Sequence, residues 1–209
     1  MATSWTMKIS IMLTVLLLAS AMPWKADELA TSTSPPDLQQ GEATRQAVNR
    51  LAEALALTAQ QWGGDAVALQ ANLLINSLKA GAVLSTEVKV VGPSSVYGAD
   101  FLQFDVDTGL LLDLEVSGRE VADELLWGSV LLPSLERMET VDLDPAGLDV
   151  AFAYGLQDFS QNDPPSRPDL EGPTQVRTLR YRIDAGQLRS YVDRETDAAD
   201  LRALVTVEE

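Results

Sequence analysis

The chain has 209 residues, 15 basic against 31 acidic, with neither histidine nor cysteine, and a net charge of −16 at neutral pH. The two missing side chains exclude Ser-His-Asp and Cys-His catalysis, His- or Cys-ligated metal sites, His-ligated haem and disulfides. So acidic a balance repels nucleic acid and anionic headgroups and suits a basic partner or a saline medium.

The first readable element is Lys8 to Ala21. A lysine precedes an apolar run that ends in Ala19-Ser20-Ala21, the layout of a secretory signal. The run is shorter than the ~20 apolar residues a membrane span needs. Cleavage after Ala21 is expected, and retention as an anchor is the alternative. Export without cysteine points to a bacterial envelope protein, periplasmic or secreted, and excludes a lipobox anchor. Residues 22–41 are rich in Ser, Thr, Pro and Gln and read as a disordered linker. Residues 42–209 are left as a single domain.

Ala47, Leu51, Ala54, Leu55 and Thr58 recur at helical spacing, and Trp62-Gly63-Gly64 ends that segment. Asp65 can cap a second helix with Leu69, Leu73, Leu74 and Leu78 on its apolar stripe. The simplest arrangement is a helical hairpin. The period then changes to two. Leu84, Thr86, Val88 and Val90 read as a strand, and Gly92-Pro93-Ser94-Ser95 as a turn. Leu102 to Val106 and Leu110 to Val116 read as a hairpin turning at Asp107-Thr108-Gly109.

Ser117-x-x-Glu120 has capping-box spacing for a helix with Val121, Leu125 and Val130 inward, and Pro133 breaks it or starts a final turn. Leu148, Val150, Phe152, Tyr154 and Leu156 mark another strand, and the Pro-rich residues 158–174 a loop. A second hairpin would run from Leu179 to Val192 through Asp184-Ala185-Gly186, with a short helix from Asp197 to Val205. The expected fold is α+β: an N-terminal helical hairpin packed on an antiparallel β-sheet of five to seven strands with one inserted helix.

Asp107-Thr108-Gly109 and Asp184-Ala185-Gly186 form a weak internal echo and share letters with the paired loops of aspartic proteases. The second lacks the supporting hydroxyl, and ordinary turn chemistry accounts for both. Asp142 to Asp149 has acidic spacing but departs from a calcium loop at Ala146 and Ala153, so it reads as a polar turn. Phosphate-loop and Gly-x-Ser-x-Gly motifs are absent. No catalytic residue, metal ligand or cofactor is assigned.

The feature closest to a binding site is a local cluster of arginines in an acidic chain: Arg177, Arg180, Arg182 and Arg189, with Arg194 and Arg202 beyond. Their guanidinium groups could hold an acidic partner. The competing reading is that they neutralise carboxylates within the protein. The function expected is an exported, acidic, non-catalytic binding or assembly module. The alternatives are a carboxylate-only hydrolase acting on glycan or cell wall, and a carrier of an apolar ligand. The partners expected are a protein or a small apolar ligand, with no nucleic acid, and a membrane only through an uncleaved signal.

Overall fold

A computed structural model describes residues 36–82, 85–96, 99–115, 117–138, 146–158 and 174–209, with side chains from Arg45 onward except that of Val96. The signal segment, most of the linker, the loop around Asp142 and Asp144 and most of the Pro-rich loop lie outside the described residues. The chain divides into two compact units, Met1–Gln46 and Ala47–Glu209. Of the first, the described part, Pro36 to Gln46, is helical. Proline is favoured at a helix's first position, where its missing N–H costs nothing.

The second unit holds helices and a five-stranded mixed sheet in the order β1-β2-β3-β4-β5, an α+β architecture. Helix α1, Pro36–Lys79, is one helical run interrupted at Gly63, whose φ of 83° and ψ of −175° leave the helical region. The glycine break thus falls where the sequence places it. The C-terminal stretch of α1 packs Ala66, Leu69 and Leu73 into the core, while Leu78 is exposed. Gln70 Nε2 donates to the Val88 carbonyl at 2.8 Å, tying the helix to an edge strand.

Strands β1 (Glu87–Val96) and β2 (Ala99–Asp113) pair antiparallel. The predicted turn at Gly92 is instead a bulge within β1, with Gly92 at φ 113°. Pro93 is tolerated because β1 is an edge.

The largest departure from expectation is at Asp107-Thr108-Gly109, which does not reverse the chain. Strand β2 runs through it. Against β3 the register passes from Asp107↔Ala153 to Leu111↔Gly155, so β2 bulges outward by two residues. Thr108 Oγ1 donates to the Ala153 carbonyl at 2.8 Å and accepts from the Leu110 amide at 3.2 Å, standing in for missing ladder bonds. Gly109 takes the left-handed conformation, φ 62°, that the bulge requires.

Because β2 continues straight, the chain returns through helical turns before β3 (Gly147–Gln157) starts, and β3 lies parallel to β2. The sheet is therefore mixed and not wholly antiparallel. The return comprises α2 (Arg119–Leu125), a π-helical turn (Leu126–Leu131) and α3 (Leu132–Leu135). Ala122, Leu126, Trp127, Val130, Leu131 and Leu135 are buried, but Val121 faces solvent. The expected capping box does not form: Gly118 is the N-cap and makes no side-chain bond. Asn76 Nδ2 donates to Ser134 Oγ at 2.9 Å, joining α1 to α3.

Strand β4 (Gln175–Asp184) pairs antiparallel with β3, and three-residue β5 (Thr206–Glu208) pairs with β4. The second expected hairpin is a helix instead, α4, Ala185–Val192. Asp184 precedes it, and Gln187 Oε1 accepts from the Asp184 amide at 3.3 Å. Asp184 and Gln187 form a capping box that starts the helix here, whereas in β2 the Asp-x-Gly letters make a bulge. Helix α5, Ala198–Leu204, is capped by Asp197, whose Oδ1 accepts from Ala199 and Asp200 amides at 2.9 Å each.

One sheet face carries the core. Leu102, Phe104, Leu148, Val150, Phe152, Leu179, Tyr181 and Ile183 are fully buried there, each large apolar side chain contributing about 1.5–3 kcal/mol. Among the described residues no helix is long and apolar enough to cross a membrane.

Candidate functional site

The period of two that buries one face sends the intervening residues to the other, and register fixes which of them meet. One rung reads Glu87, Asp107, Ala153, Thr178 across β1 to β4. The next reads Lys89, Asp105, Ala151, Arg180. A third brings Gln103, Asp149 and Arg182 together. Alanines on β3 between long polar side chains leave an open trough of about 430 Å³, lined by Glu87, Lys89, Asp105, Asp107, Ala151 and Arg180 among others.

At one end of this face Asp149 is completely buried. Arg180 Nη1 lies 3.0 Å from its Oδ2, Arg182 Nη2 lies 3.8 Å away, and Ser94 Oγ donates to it at 3.2 Å. Arg182 also reaches Glu208 at 3.2 Å and stacks over Phe101 with 5.7 Å to the ring centroid. That ring covers Gly147, where a Cβ would stand 2.9 Å from Phe101 Cε1. Asp149 Oδ1 and Arg182 Nε are buried without hydrogen-bond partners.

In the trough, Lys89 Nζ meets Glu87 at 3.0 Å, both largely exposed. Asp105 Oδ1 accepts from Gln103 Nε2 at 2.8 Å, and Asp107 Oδ1 from the Gly109 amide at 3.2 Å. Among the described residues no group of acidic side chains converges closely enough to hold a metal ion.

A second polar cluster lies beneath the core face. The Tyr181 hydroxyl donates to Asp123 Oδ1 at 2.6 Å, and Arg202 pairs with Asp123 Oδ2. Arg202 also lies over the Trp127 ring, 4.7 Å from its centroid. Burial, then the hydrogen bond to Asp123 and that residue's charge, pushes the Tyr181 phenol far above its ordinary range.

The four arginines singled out in the sequence do not form one strip. Arg180 and Arg182 share the polar face, and both engage Asp149. Arg177 pairs in register with Tyr154 and so belongs to the opposite face, at its rim, 3.7 Å from Glu209. Arg189 is exposed on α4. Sequence reading missed Asp149, which it placed in a polar turn, along with the Glu87, Lys89, Asp105 and Asp107 ladder. The available signal was the alternation Asp149, Ala151, Ala153, small or acidic residues at every second position of an otherwise apolar strand.

Comparison with protein-family models, with curated proteins and with solved structures finds no match to this chain.

Proposed function

We propose that the chain is an exported, acidic, non-catalytic module of a bacterial envelope, periplasmic or secreted, that works by binding or assembly. Residues 1–21 serve as its export signal. The observation that carries the reading is the open polar trough on the sheet face, floored by Ala151 and Ala153 and lined by Glu87, Lys89, Asp105, Asp107 and Arg180. A sheet sets such groups at fixed register, which suits recognition.

Two features favour binding over carboxylate chemistry. The buried carboxylate of Asp149 is engaged by two arginines, and that of Asp123 by Tyr181 and Arg202. An apolar-ligand carrier is disfavoured because Leu69, Leu73, Leu102 and Phe104 fill the helix–sheet interface.

The test compares the protein with its Ala151→Arg variant, which fills the trough. Affinity purification from the native envelope should retain a defined partner on the first and lose it on the second. Hydrolysis of peptide, ester or glycan substrates that disappears on substitution of a trough carboxylate would overturn the reading.

A further inference from the structure

The polar face carries an ordered pattern of both signs. On the rung through its middle, β1 to β5 present Lys89, Asp105, Ala151, Arg180 and Glu208. The charges run plus, minus, neutral, plus, minus. Reversed from left to right, that order is its own complement, with Ala151 of β3 at the centre. Lys89 and Glu208 are exposed, and Asp105 and Arg180 are half-buried. Their partners within the chain leave capacity over. Asp149 meets one nitrogen of Arg180, whose guanidinium has five N–H donors, and Glu87 meets Lys89, whose ammonium has three. Arg182 meets one oxygen of Glu208, and neutral Gln103 donates to one oxygen of Asp105. The core lies on the other face of the sheet.

A two-fold axis parallel to β3 and above Ala151 uses this order. It lays the sheet of a second copy face down, rung on rung, with left and right exchanged. Asp105 of each copy then meets Arg180 of the other, and Lys89 meets Glu208. Ala151 meets its own counterpart, and its small side chain leaves room for the guanidinium groups beside it. Sheets stacked in this way lie about 10 Å apart, with strands within about 30° of one another. An arginine and an aspartate reaching from opposite sides close that gap. The flanking rungs add no exposed like-charge contact. Asp107 meets Thr178, Gln103 meets Arg182, and Glu87 overhangs a rung that β5 does not reach. Asp149, on the axis, is fully buried and paired with its arginines. The placement is also specific. Half a strand spacing toward β2, the axis would set Lys89 against Arg180. As far toward β4, it would set Asp105 against Glu208. Like charges so juxtaposed reject both alternatives.

Resting on the reading of this face as a recognition surface, we propose that its partner is a second copy of this chain, docked sheet face to sheet face about a two-fold axis over Ala151, with Asp105–Arg180 and Lys89–Glu208 as the contacts between copies.

Sedimentation equilibrium over a range of protein concentrations reads the dimer. Lys89→Glu should weaken it about tenfold, since the substitution acts at two symmetry-related contacts. Glu208→Lys should weaken it as much, although it makes each copy less acidic and by net charge alone would favour association. An equimolar mixture of the two variants should recover dimers, because every contact between unlike copies again pairs opposite charges. Within one copy Lys89 and Glu208 stand on opposite edge strands, about 19 Å apart, so the recovery has to pass between copies. Ala151→Arg sets two guanidinium groups against each other on the axis and should abolish the dimer. Unchanged thermal unfolding midpoints verify the folds. A protein that stays monomeric up to about 1 mM, a dimer indifferent to both charge reversals, or a mixture that fails to recover overturns the proposal. A monomeric protein that still loses an envelope partner on Ala151→Arg overturns the self-pairing and leaves the binding-module reading standing. A monomer whose envelope partner survives Ala151→Arg removes this face from both readings.

Discussion

Thr108 Oγ1 donates a hydrogen bond to the carbonyl of Ala153 at 2.8 Å, across a place where the β2–β3 ladder loses register. The hydroxyl is fully buried and also accepts from the Leu110 amide. Replacing it leaves a buried carbonyl and a buried amide short of a partner, which costs about 1–3 kcal/mol for each unsatisfied group. Thr108→Val should therefore destabilise the protein by a few kcal/mol in chemical denaturation. Thr108→Ser, which keeps the hydroxyl, should cost markedly less. Equal losses in the two would mean that the hydroxyl contributes no more than the methyl that serine lacks.

The Asp149 cluster makes a second, asymmetric prediction. The carboxylate is fully buried, whereas the Arg180 side chain is 33% exposed and that of Arg182 13%. Asp149→Ala leaves Arg182, 13% exposed, with Glu208 as its remaining carboxylate and should cost about 1–3 kcal/mol. Arg180→Ala leaves Asp149 its contacts with Arg182 and Ser94 and should cost less. Denaturation midpoints measured side by side decide the order.

Tyr181 predicts behaviour in alkali. Its phenol is raised above the ordinary value of 10.0, first by burial and then by Asp123. Below about pH 10 folded and unfolded chains both hold the proton, and the stabilisation is complete. Above it the unfolded chain releases the proton while the buried phenol keeps it, so stability falls by up to about 1.4 kcal/mol per pH unit. Tyr154 and Tyr191 shift in the same direction, also led by burial. Tyr181→Phe should flatten the alkaline slope of stability. It should also lower stability near neutrality by about 1–2 kcal/mol through the lost hydrogen bond. An unchanged slope would contradict the assignment.

Gly147 should resist any side chain. A Cβ there would lie 2.1 Å from the Ile183 carbonyl oxygen and 2.9 Å from Phe101. Gly147→Ala should cost about 1–3 kcal/mol or more. Gly186→Ala is the control: no atom lies within 4 Å of its added Cβ, and alanine favours a helix over glycine by up to about 1 kcal/mol. Thermal unfolding of the two variants should move in opposite directions.

Legible along the chain are the apolar alternation of β3 and β4, the helix break at Gly63, the helical run around Leu126 to Leu135 and the short helix that starts at Asp197. In each case neighbours along the chain carry the signal: side-chain period, a glycine, or a carboxylate beside free amides. The sequence also determines which chemistries are excluded, since no fold can supply a missing histidine or cysteine. What Asp-x-Gly does depends on surroundings outside those three letters. The same letters make a bulge in β2, where the Thr108 hydroxyl finds a carbonyl on β3, and start a helix at Ala185, beyond the last β3–β4 rung. Because β2 runs on through its bulge, β3 lies parallel to it, in the register that aligns Ala151 with Asp105. The trough and the buried Asp149 pairing therefore lay beyond sequence reading: both arise from residues distant in the chain, and their meeting depends on a partner strand that local pattern does not name.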